Sequence, residues 1–175
     1  MLSPVKLDAM ITPKDLVARY AIDLDIIRKF ADGYSHEESL IQPPAVDGNC
    51  MNWLVGHLAN SRNTILRMSG FADAQWQKYA TWEQLRTRYG NGSLPIMTDG
   101  PDVLKLPQLL EGLAASQANF DKHIATLTAE QANVEIDAIG RMQPVDHFLV
   151  YMLGHEQFHI GQMEYVRPLS GKKNP

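Results

Sequence analysis

The spacing of apolar residues constrains this chain more than any other feature. Leu16, Val17, Tyr20, Leu24, Ile27 and Ala31 recur at three- and four-residue intervals, which places them on one face of a helix. Thr12 can cap that helix, Pro13 suits its first position, Asp15 favours its positive end, and Gly33 is a stop. A second helix is predicted from Asn52, or up to three residues earlier, to about Ser69 before Gly70. Cys50, Trp53, Leu54, His57, Ser61, Thr64 and Met68 cluster on one of its sides. A third runs from Val103 or Pro107 to Leu127 on a near-heptad stripe of Leu106, Leu109, Leu110, Leu113, Phe120, Ile124 and Leu127, with Gln117 as the polar interruption. The fourth starts close to Pro144 and continues to about Val166, where Pro168 is expected to end it. Four long amphipathic helices with no convincing strand run imply an all-α four-helix bundle. No repeat or boundary divides it, so residues 1–175 are expected to form one domain.

The connections are less regular. Residues 34–49 contain Pro43-Pro44 and Asp47-Gly48-Asn49 and read as a loop. Residues 70–103 read as a long crossover between helices two and three, able to form a lid over one end of the bundle. Within it, Thr81 and Gln84 can form a capping box for a short helix through Tyr89, and Trp76 and Trp82 need burial. Tyr89-Gly90-Asn91-Gly92-Ser93 lacks the glycine spacing and the lysine of a phosphate loop. Residues 128–143, with Ala138-Ile139-Gly140, suit a short extended turn, and Lys172 and Lys173 a frayed basic tail.

Composition excludes several functions. A net charge of −4 and a pI of about 5.8 give no global electrostatic case for nucleic-acid binding. The longest apolar runs fall well short of the roughly 20 residues that cross a bilayer. The segment MLSPVKLDAMI has neither a basic nor an uninterrupted apolar region of signal-peptide type. The single cysteine, Cys50, excludes an internal disulfide and agrees with a reducing cytoplasm, the expected location.

The polar residues on the inward stripes carry the chemistry. On helix four, Phe148, Met152, His155, His159, Gln162 and Val166 lie within roughly 80° of one another. Both histidines therefore point inward, and His57 does so from helix two. Three buried imidazoles each cost free energy without a partner. One shared divalent ion would stabilise all three and keep coordination positions open for water or substrate. The alternative is a hydrogen bond from each ring to a backbone carbonyl or another side chain. His155 to His159 also fits the H-E-x-x-H pattern of zinc proteases. That context fails, because only sixteen residues follow His159, with Glu164 their sole carboxylate and no histidine. Glu156 is a candidate acid or base, although an exposed helix glutamate is the plainer reading. Tyr20, Ser61, Thr64, Gln117 and Gln162 could line a pocket or be satisfied core groups. Cys50, two turns from His57, reads as a buried small hydrophobe. His36, His123 and His147 fall off the stripes and are expected in solvent.

Asn52-Trp53-Leu54-Val55-Gly56-His57-Leu58-Ala59, together with Gly154-His155 and His159-Ile160-Gly161-Gln162, resembles the DinB-like superfamily. The Tyr89 to Ser93 segment and Arg167 before Gly171 are similar to that family too. The resemblance implies a bundle metalloprotein with His57, His155 and His159 as ligands of a divalent transition metal, zinc or nickel foremost. It implies a homodimer and, in some members, transfer or isomerisation of a small molecule using a low-molecular-weight thiol. Metal-dependent hydrolysis is the second reading, and a non-catalytic metal-binding stress-response module the third. No substrate, nucleic-acid partner or membrane partner follows from it.

Overall fold

The computed structural model describes residues 11–42, 49–96 and 98–175. Among these are seven α-helices: α1 (Pro13–Ala31), α2 (His36–Ser39), α3 (Met51–Met68), α4 (Trp82–Tyr89), α5 (Leu106–Asn119), α6 (Ala129–Ala132) and α7 (Val145–Leu169). A 3₁₀ turn at Ala72–Ala74, a π turn at Phe120–Ile124 and an antiparallel pair, β1 (Glu135–Ala138) with β2 (Arg141–Pro144), complete the described elements. The fold is all-α in character, but it is not the simple four-helix bundle that the stripes imply. The four long helices are α1, α3, α5 and α7, and three short helices and a hairpin are added to them. The turns expected at Pro43-Pro44 and Asp47-Gly48, and the N-terminal segment through Met10, lie outside the described residues.

Each long helix packs on two others: α1 and α3 both lie against α5 and α7. Asn52 donates to the Leu104 carbonyl at 2.9 Å and Arg62 to Gln117 at 3.0 Å, so α3 and α5 run in the same direction. Parallel neighbours cannot be joined by a tight turn, which is why the crossover between them is long. The pair α1 and α7 is parallel too, since Tyr20 reaches the Leu149 carbonyl at 3.1 Å and Arg167 the Phe30 carbonyl at 2.6 Å.

Local chemistry sets the ends. Thr12 and Asp15 cap α1 reciprocally, and Thr81 and Gln84 cap α4, as expected. The same device at Ser35 and Glu38 builds α2 inside the segment expected as a loop, and at Thr128 and Gln131 it builds α6. The third helix does not run α-helically to Leu127. After Asn119 it widens into the π turn, with Ala125 N–H on the Phe120 carbonyl at 2.9 Å, and both Phe120 and Ile124 are buried. The expected extended turn is the hairpin, whose two turn residues, Ile139 (φ 54°) and Gly140 (φ 76°), are left-handed. Pro168 does not stop α7, which continues one residue beyond it to Leu169; the proline gives up its N–H bond to the preceding turn only at the very end of the helix. The basic tail is tied down rather than frayed: Lys172 donates to the Gly33 carbonyl at 2.7 Å and pairs with Glu38 at 3.0 Å, and the Lys173 carbonyl accepts from Arg167 at 2.6 Å.

Two apolar clusters fill the interior. One contains Leu24, Ile27, Trp53, Leu54, Leu58, Leu109, Leu113, Met163 and Val166; the other contains Leu16, Val17, Tyr20, Ile65, Leu66, Phe120, Phe148, Leu149 and Met152. Between them along the helices lie buried polar residues: Asp23 on α1, His57, Asn60, Ser61 and Arg62 on α3, Gln117 on α5, and Glu156 and His159 on α7. None of the described helices is long and apolar enough to cross a membrane.

Candidate metal centre

The three sequence-predicted histidines converge. One ring nitrogen of each lies within 4.8 Å of the other two, and His155 Nε2 stands 3.2 Å from both His57 Nε2 and His159 Nε2. Helix α7 supplies His155 and His159 one turn apart, and α3, packed against it, supplies His57. Two of the rings are oriented from behind. His57 Nδ1 donates to the Tyr89 carbonyl at 2.7 Å, and His159 Nδ1 donates to Gln162 Oε1 at 2.7 Å. An acceptor at Nδ1 fixes the tautomer, so both rings present a bare Nε2 lone pair to the centre.

No arrangement of protons satisfies that centre. His155 Nε2 has one hydrogen to give and two lone pairs facing it, and its Nδ1 is buried without a partner among the described residues. A divalent cation accepts all three lone pairs at once. Two of the three separations, 3.2 Å each, are close to the roughly 3.3 Å expected between imidazole nitrogens that share a zinc ion at roughly 2.0–2.1 Å, and the third lies within 4.8 Å. The chain's own residues therefore fit a His₃ site. Burial holds the rings neutral, as ligation requires. It is the first cause for His57, pushed down to about 4 with help from the His159 ring, and for His155, also about 4. Burial lowers His159 as well, opposed by its bond to Gln162.

The crossover frames the site rather than capping the bundle. Helix α4 packs along α3, and Gly56 is the reason it can. A Cβ at that position would overlap the Tyr89 ring, whose residue supplies the carbonyl behind His57. The His57 ring stacks on Trp53 at 4.5 Å between centroids, and Trp53 Nε1 donates to Ser93 Oγ at 2.8 Å. The glycine-rich segment thus steadies the indole behind His57.

Glu156 is not the exposed helix glutamate that its position suggests. It is buried, and its two oxygens accept from Arg62 Nε at 2.9 Å and Arg62 Nη2 at 2.5 Å. The remaining Arg62 donors reach Gln117 Oε1 at 3.0 Å and the Tyr20 carbonyl at 2.7 Å, so the guanidinium touches all four long helices. Gln117 turns its amide to Asp121 and the Val17 carbonyl. Sequence reasoning missed Arg62; its signal was a single charge in a stretch of α3, Met51 to Asn63, that is buried on every side. It missed Asp23 too, a carboxylate on the α1 stripe that burial and then Glu156 raise to about 6, against Arg62.

Tyr20, Thr64, Gln117 and Gln162 have protein hydrogen-bond partners, and Ser61 is buried beside them. Cys50 is a free, buried residue at the start of α3 whose thiol burial pushes up. His147 is exposed and His123 lies half-buried against Phe71. His36, expected in solvent, is instead half-buried and bonded to Asp99 at 3.1 Å.

Comparison with known proteins agrees with the fold. The DinB superfamily profile matches residues 22–163, which include all three histidines. A crystal structure of a DinB-like protein from Bacillus cereus has the same fold, with a TM-score of 0.66 at 17% identity over 92% of this chain and 94% of that one. No curated protein matches the sequence. The chain belongs to the DinB superfamily.

Proposed function

We propose that this protein is a metal-dependent enzyme acting on a small molecule, of the thiol-dependent transferase or isomerase type. His57, His155 and His159 are the ligands of its zinc or nickel ion. The observation that carries this reading is the convergence of three Nε2 atoms whose protons cannot satisfy one another. Three protein ligands leave positions open for a substrate or a thiol, and His155 is the ligand left partly exposed. A bound divalent ion supplies Lewis acidity, lowering the pKa of a ligating thiol or water. Tyr89 and Gln162 hold two of the ligand rings in the donating tautomer, and Trp53 backs the first. Glu156 receives a positioning role rather than an acid or base role, because Arg62 occupies both its oxygens.

Hydrolysis by an activated water is the alternative within the same site, and a non-catalytic metal-binding module the alternative outside it. We place the protein in the cytoplasm, as one domain over residues 1–175 that pairs into a homodimer. The test is elemental analysis of untagged protein, expected to give one zinc or nickel per chain, with His159→Ala losing it. A full complement of metal in His159→Ala would refute the ligand assignment.

A further inference from the structure

We propose that the Arg62–Glu156 pair is the rotational lock of α7: it selects the face of that helix that meets α3 and so presents His155 and His159 to His57. The inference rests on the metal-binding reading of those histidines. Helix α7 needs such a device because burial alone does not choose its inward face. Its buried side mixes Phe148, Leu149, Met152 and Met163 with a carboxylate and an imidazole. Its outer side carries Tyr151, Phe158, Tyr165 and Leu169, all 42–64% exposed. Turning the helix by one residue, about 100°, would set Tyr151, Phe158 and Tyr165 where Met152, His159 and Val166 now stand. Three aromatic rings would enter the core, and the metal site would be lost.

Arg62 opposes that turn. Its side chain is wholly buried, and Gln117 and the Tyr20 carbonyl hold it from α5 and α1, independently of α7. The guanidinium is therefore a fixed socket. Glu156 fits it through two parallel bonds, a geometry that specifies orientation as well as distance. Any other rotation of α7 leaves a buried cation without the carboxylate it is hydrogen-bonded to, a large penalty. His155 immediately precedes Glu156 and His159 lies three residues after it, so the setting of Glu156 passes directly to both ligands.

The test uses cobalt(II) as the probe, measured by equilibrium dialysis and visible absorption alongside Tm. In Arg62→Met with Glu156→Leu, apolar groups of similar volume replace the pair, and such replacements commonly leave stability unchanged or higher. The expected result is a folded protein with Tm at or above the wild type's, an affinity for cobalt lower by about tenfold or more, and an altered spectrum. A double variant with the wild-type affinity and spectrum would show the pair to be merely structural and overturn the lock. Should that variant not fold, Glu156→Gln decides: it keeps the side-chain shape and is expected to bind cobalt several-fold more weakly, and wild-type affinity would again overturn the proposal. Wild-type protein that takes up no cobalt refutes the metal reading, and the lock with it. Binding by the wild type with equal binding by the variants refutes the lock alone.

Discussion

His57 and His155 are held at about 4 by burial, against an ordinary value near 6.5. In metal-free protein, the unfolded chain therefore binds more protons than the folded chain between pH 6.5 and 4, and these rings make stability fall as pH drops through that window. Asp23 works the other way. Its folded value, raised to about 6 from 3.8, means that the folded chain gains protons first, so its contribution rises as pH falls from 6 to 3.8. Asp23→Asn removes the opposing term. Its urea midpoint is expected to exceed the wild type's at pH 7.5, where the native carboxylate is charged and buried, and to decline more steeply towards pH 5. Equal midpoints at pH 7.5 would contradict the environment described for Asp23. A second residue-scale expectation concerns the hairpin. Ile139 is a β-branched residue at φ 54°, in a turn position that suits asparagine. Ile139→Asn is expected to raise stability by about 1 kcal/mol with metal binding unchanged, checked by denaturation and cobalt titration.

At the scale of elements, two glycines on two helices make opposite predictions. Gly56→Ala drives a methyl group into the Tyr89 ring and displaces the carbonyl behind His57. The expected cost is about 2 kcal/mol of stability, together with weaker cobalt binding. Gly154 has open space where its Cβ would stand, so Gly154→Ala should stabilise the isolated chain by up to about 1 kcal/mol through helix propensity. Elements of this kind also mark what was legible beforehand. Thr12 with Pro13 and Thr81 with Gln84 announced helix starts because a cap is a local bond between residues three apart. His155, His159 and His57 were legible because helical period sets each of them on a face shared with large apolar residues, Phe148, Met152 and Val166 on α7 and Trp53 and Leu54 on α3. The caps at Ser35 and Thr128 were equally local, yet each opens only four helical residues, too few for any stripe to show. The π turn after Asn119, the tethered Lys172 and the burial of Glu156 were not legible. Each depends on a partner far along the chain: Tyr20 against Phe120, Gly33 beneath Lys172, Arg62 against Glu156.

Taken as a whole, the molecule places a polar layer between two apolar clusters, and α7 crosses all three with an apolar face still turned outward. That face is spaced for self-pairing. Tyr151, Phe158 and Tyr165 stand seven residues apart, so two antiparallel copies of α7 centred on Phe158 would set each Tyr151 against the other copy's Tyr165. Gly154 and Gly161 lie between the rings with nothing among the described residues within 4 Å of where a Cβ would stand, which permits close approach of the two backbones. Val150, Tyr151, Phe158, Tyr165 and Leu169 together expose on the order of 500 Å² per chain, so a two-fold pair buries about 1,000 Å², the lower bound for a stable interface. One charge at the centre of such an interface is doubled by the symmetry and meets itself. If the chain pairs in this way, Phe158→Glu is expected to convert the proposed dimer to a monomer in sedimentation equilibrium, with one cobalt still bound per chain, since the ring is 64% exposed and meets the site only edge-on to His159 at 5.3 Å between centroids. In this variant Gly154→Ala should show its full gain in stability, whereas in the wild type the same methyl group would separate the paired helices. Wild-type protein that sediments as a monomer at every concentration would exclude the pairing and leave the outer face of α7 as ordinary exposed surface.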